Sequence, residues 1–102
     1  MSQKETEKLS SNEFIAFYKA LLLLRNEDEV MKFLRDLMTV KEIENLVRRL
    51  SAAKLLDEGY NYIEIARITG LSSATIAKVS EAIKYGYDGY KLVLERSKKR
   101  NK

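Results

Sequence analysis

No proline occurs anywhere in the 102 residues, and the four glycines stand at 59, 70, 86 and 89. Proline and glycine are the residues that most strongly interrupt a helix. Long helices are therefore permitted throughout, with punctuation confined to the second half. Apolar residues recur at helical spacing: Phe14, Phe17, Tyr18, Leu21, Leu22 and Leu24, then Val30, Phe33, Leu34 and Leu37. No stretch alternates as a strand would, and no internal repeat is visible. The pattern predicts an all-α fold of about six helices.

Capping chemistry suggests the helix boundaries. A short polar side chain ahead of a helix satisfies an amide left free in its first turn. Ser10-x-x-Glu13 and Thr39-x-x-Glu42 have capping-box spacing, and Asn61-x-x-Glu64 resembles a third. Asn26 is placed to cap a helix over Glu27 to Leu37, whose acidic start (Glu27, Asp28, Glu29) suits the helix dipole. The helix after Thr39 carries Ile43, Leu46, Val47, Leu50, Ala53, Leu55 and Leu56 and stops at Gly59. Further helices are expected up to Thr69, from Ser73 to about Tyr85, and briefly around Tyr90 to Leu94. The polar residues 1–9 are expected to be disordered, residues 10–95 to form a single domain, and 96–102 a basic tail.

Composition removes whole classes of chemistry. With no cysteine there is no disulfide framework, thiol nucleophile or thiolate metal site. With no histidine there is no imidazole base or histidine-ligated metal. No motif organises the remaining Asp, Glu, Lys, Tyr, Ser and Thr into a site. The chain is thus expected not to be an enzyme, with no catalytic residue, metal or cofactor. The longest apolar run, Ala20 to Leu24, is far too short to span a bilayer. The first five residues lack the apolar core of a signal peptide. A cytoplasmic, nucleoid-associated protein without a membrane partner is expected.

The net charge of +4 is unevenly spread. Residues 91–102 hold Lys91, Arg96, Lys98, Lys99, Arg100 and Lys102 against Glu95 alone, a net of +5 that leaves −1 for residues 1–90. A basic end suits polyanions, and equally a solvated terminus.

The most informative stretch is 62–81, which has the spacing of a helix-turn-helix. Ile65 and Ala66 fall in its first helix, and the small Ala66 permits a close crossing. Gly70 falls in the turn, where a residue without a Cβ tolerates positive φ. Leu71 is placed between the helices, and Ile76, Val79 and Ile83 face back into the core. Ser72 or Ser73 can cap the second helix. Its other face then presents Ser73, Ala74, Ala77, Lys78, Glu81 and Lys84. The candidate DNA-reading residues are accordingly Ser72, Ser73, Ala74, Thr75, Ala77, Lys78 and Glu81. A serine can bond several bases, alanine methyls can touch a thymine methyl, and a lysine can reach guanine or phosphate. Without Arg, Asn or Gln on that face, direct readout is sparse and indirect readout is expected to contribute. Arg48, Arg49, Lys54, Arg67 and Lys84 are candidate phosphate contacts, although each is also an ordinary surface charge. The flanking tyrosines, 60, 62, 85, 87 and 90, suit packing at helix ends better than stacking on bases.

The run from Phe33 to Tyr90 resembles the Trp-repressor superfamily, most closely its small bacterial Trp-repressor-related branch, the YerC/YecD-type proteins. The resemblance rests on Leu37-Met38-Thr39-x-Lys41-Glu42, Arg48-Arg49, Leu55-Leu56-x-x-Gly59 and Ile65-Ala66-x-x-x-Gly70-x-Ser72-x-Ala74-Thr75-Ile76. It implies an intertwined homodimer in which helices over 10–60 dimerise and 61–85 form the helix-turn-helix. Phe14, Phe17, Leu21, Leu24, Phe33 and Leu37 would then share a dimer core. An apolar face as wide as Leu21 to Leu24 must in any case be covered on more than one side. The family's corepressor pocket maps onto Thr39, Arg49, Lys78 and Val79. Here Lys78-Val79 stands where the family has Arg-Gly. Lys78 lacks the bidentate fork for a carboxylate, and Val79 adds bulk where an indole would lie. Tryptophan binding in the repressor's manner is therefore not expected, while an unknown small-molecule effector stays open. Two functions follow: a homodimeric, sequence-specific regulator of transcription on double-stranded DNA, acting as a repressor, or a helical interaction module whose helix-turn-helix no longer reads DNA.

Overall fold

The computed structural model describes residues 2–100. Met1, Asn101 and Lys102 lie outside them, so the ends of the expected disordered segment and basic tail are not covered. Seven helices and no strand occur among the described residues: α1 (Gln3–Leu9), α2 (Asn12–Leu22), α3 (Glu27–Leu37), α4 (Val40–Asp57), α5 (Tyr62–Thr69), α6 (Ser73–Tyr85) and α7 (Gly89–Arg100). They divide into two compact units, one ending at Thr39 and the other beginning at Val40.

Two sequence expectations need correction in the first unit. The described part of 1–9 is helical: Ser2 caps α1 by accepting from the Glu5 amide at 3.1 Å. The Ser10-x-x-Glu13 box does not form, because the α1 end occupies Ser10 and Ser11 stands at the start of α2 without a side-chain cap. A short helix ahead of α2 thus displaces the expected cap by one residue. Asn26 does cap α3, accepting from the Glu29 amide at 3.0 Å, and Glu29 accepts from the Arg25 amide at 2.9 Å. The Phe17 and Phe33 rings lie 6.4 Å apart, and the Tyr18 hydroxyl donates to the Leu9 carbonyl. No residue of α1, α2 or α3 is fully buried. Phe14, Leu24 and Phe33 are half-buried, Phe17, Leu21 and Leu37 are exposed, and Leu22 keeps 83 % of its surface.

The second unit owns the core. Two neighbouring alanines of α4, Ala52 and Ala53, have no exposed surface and point into two separate clusters. Adjacent helical residues differ in direction by about 100°, so one helix can serve both. Ala52 meets Ile65 of α5 and Ile76 of α6, with Leu55, Ala66 and Leu71 around them. Ala53 meets Val79 of α6 and Leu94 of α7, with Ile83 and Tyr90 alongside. Methyl side chains at both positions let the neighbouring backbones come close. Leu46, Val47 and Leu50, nearer the start of α4, stay exposed.

The last helix is longer than expected. It continues through Arg100, so residues 96–100 are helical and not a frayed tail. Lys98 reaches back to Asp57, the final residue of α4. Before α7, the Gly86 amide donates to the Ala82 carbonyl at 2.9 Å, and Asp88 takes a positive φ of 65°.

Candidate nucleic-acid interface

The α5–α6 pair is built from its turn outward. Asn61 and Glu64 form a reciprocal capping box at the start of α5, with bonds of 2.9 and 3.1 Å. The helix ends at Gly70, whose φ of 76° is left-handed and whose amide donates to the Ala66 carbonyl at 2.8 Å. Thr69 closes the corner. Its buried hydroxyl donates to the Ile65 carbonyl at 2.7 Å and accepts from the Leu71 amide at 3.2 Å. The hydroxyl therefore ties the end of α5 to the turn, a role that sequence reasoning missed. The signal was present: a threonine in the last helical turn can bond the carbonyl four residues back.

α6 starts at the cap expected of it. Of the two candidate serines, Ser72 takes the role, accepting from the Thr75 amide at 3.2 Å. Its own hydroxyl donates to the Thr75 hydroxyl at 3.0 Å. Ile76 and Val79 are buried and Ile83 packs on the second cluster, as their spacing requires. The face left over carries Ser73, Ala74, Ala77, Lys78, Glu81 and Lys84. Ser73, Ala74, Ala77, Lys78, Glu81 and Lys84 together offer one hydroxyl, two methyls, two ammonium groups and one carboxylate. Thr75 is set apart from them: it is half-buried and its hydroxyl is engaged at the cap.

The candidate phosphate contacts fall into two kinds. Arg48 pairs with Glu44 one turn away at 3.7 Å, both half-exposed. Among the described residues Arg49, Lys54, Arg67 and Lys84 form no such ion pair. Each can turn toward a polyanion at little cost, because surface charges are weakly held.

Of the four candidate effector residues, Thr39 closes the first unit and Arg49, Lys78 and Val79 belong to the second. Val79 is 2 % exposed and fills core space between Ala53 and Leu94. Lys78 does line an open groove of about 810 Å³ between the end of α6 and the start of α7. Leu50, Ala82, Tyr85, Tyr87, Tyr90 and Val93 give it a mainly apolar wall, and Glu81 is its other charged neighbour. Among the described residues no group of three acidic side chains is placed to hold a metal ion, and no helix is long and apolar enough to cross a membrane.

The arrangement has counterparts among known proteins. The profile of the Trp repressor protein family matches residues 12–98. YerC of Bacillus subtilis (strain 168), itself uncharacterized, is 37 % identical over 94 residues, covering 92 % of this chain and 90 % of YerC. The crystal structure of a TrpR-like protein from Eubacterium eligens superposes with a TM-score of 0.85 at 40 % identity, covering 88 % of this chain and 93 % of that one. A candidate Trp repressor from Staphylococcus aureus gives 0.87 at 37 % identity, with 96 % of each chain covered. Family profile, sequence and fold agree over nearly the whole length, and the helix-turn-helix lies inside the matched span. The chain belongs to the Trp repressor family, a family of DNA-binding regulators.

Proposed function

We propose that the protein is a homodimeric, sequence-specific DNA-binding regulator, acting as a repressor, in the cytoplasm and associated with the nucleoid. The observation that carries this reading is the construction of α6. Its inner face is spent on Ile76 and Val79, its N-terminus is capped by Ser72, and Ser73, Ala74, Ala77 and Lys78 are left on its outer face. A second helix held in this way by a tight turn places its N-terminal residues in a major groove. Ser73, Ala74, Ala77 and Lys78 then meet base edges, with Glu81 further along. Arg49, Lys54, Arg67 and Lys84 supply phosphate contacts, and the share of readout carried by DNA shape is large.

The homodimer is supported by the first unit, which has no fully buried residue and keeps Leu22 and Leu23 at 83 % and 77 % exposure. A second copy covers this surface, with Phe14, Phe17, Leu21, Leu24, Phe33 and Leu37 in the shared core. Two reading heads about a two-fold axis would meet half-sites about one helical turn apart. Lys78 lacks the bidentate fork for a carboxylate, which argues against tryptophan as the effector in the repressor's manner.

Selection of bound duplexes from a random pool tests the reading. An enriched near-palindrome is expected, lost with Ala74→Asp while the oligomeric state is kept. A dimer that enriches nothing would favour the interaction-module alternative, for which the methyl-rich α6 face is the supporting feature.

A further inference from the structure

The strongest charged patch away from α6 is the end of α7. Because α7 is helical through Arg100, its last residues have fixed directions about one axis. Leu94 is buried against α4 and α6, and Lys98, one turn later, pairs with Asp57. These two define the inward side. Arg96 and Arg100 are four residues apart and lie on the far side of the axis from Lys98, with Lys99 beside them. Arg96, Lys99 and Arg100 are exposed, and none has an ion pair among the described residues. The basic segment is therefore sorted: one exposed cation is held in an ion pair with Asp57, and three on the other side of the helix have no ion pair among the described residues.

The position of this triad matters as much as its charge. Asp57 ends α4, and only four residues later Asn61 caps α5, the first helix of the helix-turn-helix. The Lys98–Asp57 pair thus brings the end of α7 to the entrance of α5. In a docked helix-turn-helix the first helix crosses the sugar–phosphate backbone. We infer that Arg96, Lys99 and Arg100 form a second, sequence-independent contact with duplex phosphates, beside the start of α5 and separate from the reading face of α6. The inference rests on the reading of the chain as a duplex binder. It also addresses the electrostatic weakness of the rest of the chain, since residues 1–90 carry a net charge of −1.

The test is the salt dependence of binding to a short duplex of random sequence, with the full chain. Removing one phosphate interaction lowers the slope of log affinity against log salt by about 0.9. Arg96→Gln, Lys99→Gln and Arg100→Gln together are expected to lower it by about 2 to 3, with each single change supplying part. Lys98→Gln removes the same charge from the inward side and is expected to change the slope less than any of the three. The triple variant is expected to lose affinity equally for a selected and a random duplex, which separates this surface from the reading helix. Far-UV circular dichroism on every variant registers any loss of fold, and the single variants carry the test if the triple one unfolds. An unchanged slope in the triple variant overturns the inference, as does an equal effect from Lys98→Gln, which would signal bulk charge and not a directed face. Wild-type chain that binds no duplex overturns this inference and the proposed function together. Binding to anionic lipid vesicles, with no effect of the triad on duplex affinity, would overturn it in favour of a membrane surface.

Discussion

Individual residues in the helix-turn-helix have separable energetic roles. At Gly70 a Cβ would meet nothing within 4 Å, so the requirement for glycine is its positive φ alone. Gly70→Ala is expected to cost about 1 kcal/mol, read as a fall in thermal midpoint. At Gly86 the reason is steric: a Cβ would collide with the Ala82 carbonyl oxygen, against backbone that cannot swing aside. Gly86→Ala is expected to be the more damaging change, about 2 kcal/mol or more. Ser72→Ala removes a cap that holds the start of α6, at a cost of about 1 kcal/mol. The pair at Lys98 has a pH signature of its own. The hydrogen bond that Lys98 donates to Asp57, then the negative charge of that carboxylate, hold Lys98 above the ordinary lysine value of 10.5. A raised pKa in the folded state means the contribution is complete at neutral pH and lost as the solution becomes alkaline beyond that value. The difference in thermal midpoint between wild type and Lys98→Met should therefore be flat through neutrality and shrink only at strongly alkaline pH.

At the scale of elements, α4 is the one on which the second unit depends. Ala52→Leu would drive a side chain into the α5–α6 side, and Ala53→Leu into the α6–α7 side. Each is expected to destabilise by about 1–3 kcal/mol through overpacking, and chemical denaturation of the two variants would measure it. This is also where sequence and structure part company. Helices α3, α5 and α6 were legible because their ends carry local chemistry: Asn26, Asn61 with Glu64, Gly70 and Ser72 act within four residues. The central role of Ala52 was not legible, because a small residue announces nothing until the helices that press on it are in place. Nor was α1 legible, since its seven residues are almost all polar and form no apolar face. The reading face of α6 followed from the sequence by subtraction. Once Ile76 and Val79 were assigned inward, helical geometry fixed what remained. The inward turn of Lys98 did not follow, because its partner Asp57 is 41 positions away and only tertiary packing brings them together.

At the scale of the whole molecule, stability and self-association are expected to be linked. The apolar side chains of α2 are left with large exposed areas, which a lone chain in water does not favour. The thermal midpoint should rise with protein concentration, and sedimentation should report two chains. Leu21→Ser is expected to shift the population toward the single chain and lower the midpoint. A concentration-independent midpoint with the mass of one chain would refute the dimer. Charge is divided in the same way: acidic residues slightly outnumber basic ones through residue 90, and the surplus of cations lies in residues 91–102. Duplex binding should accordingly weaken steeply with salt.

The exposed first unit also bears on how such a regulator would respond to its own supply. If two chains must meet before either can shelter Leu22 and Leu23, the active species forms by a second-order process. While most chains are still single, the amount of that species grows as the square of the amount synthesised. Doubling expression would then quadruple the pool able to occupy an operator, and halving it would leave only a quarter. The apolar side chains of α2 would in this way convert a graded change in gene dosage into a sharper regulatory threshold.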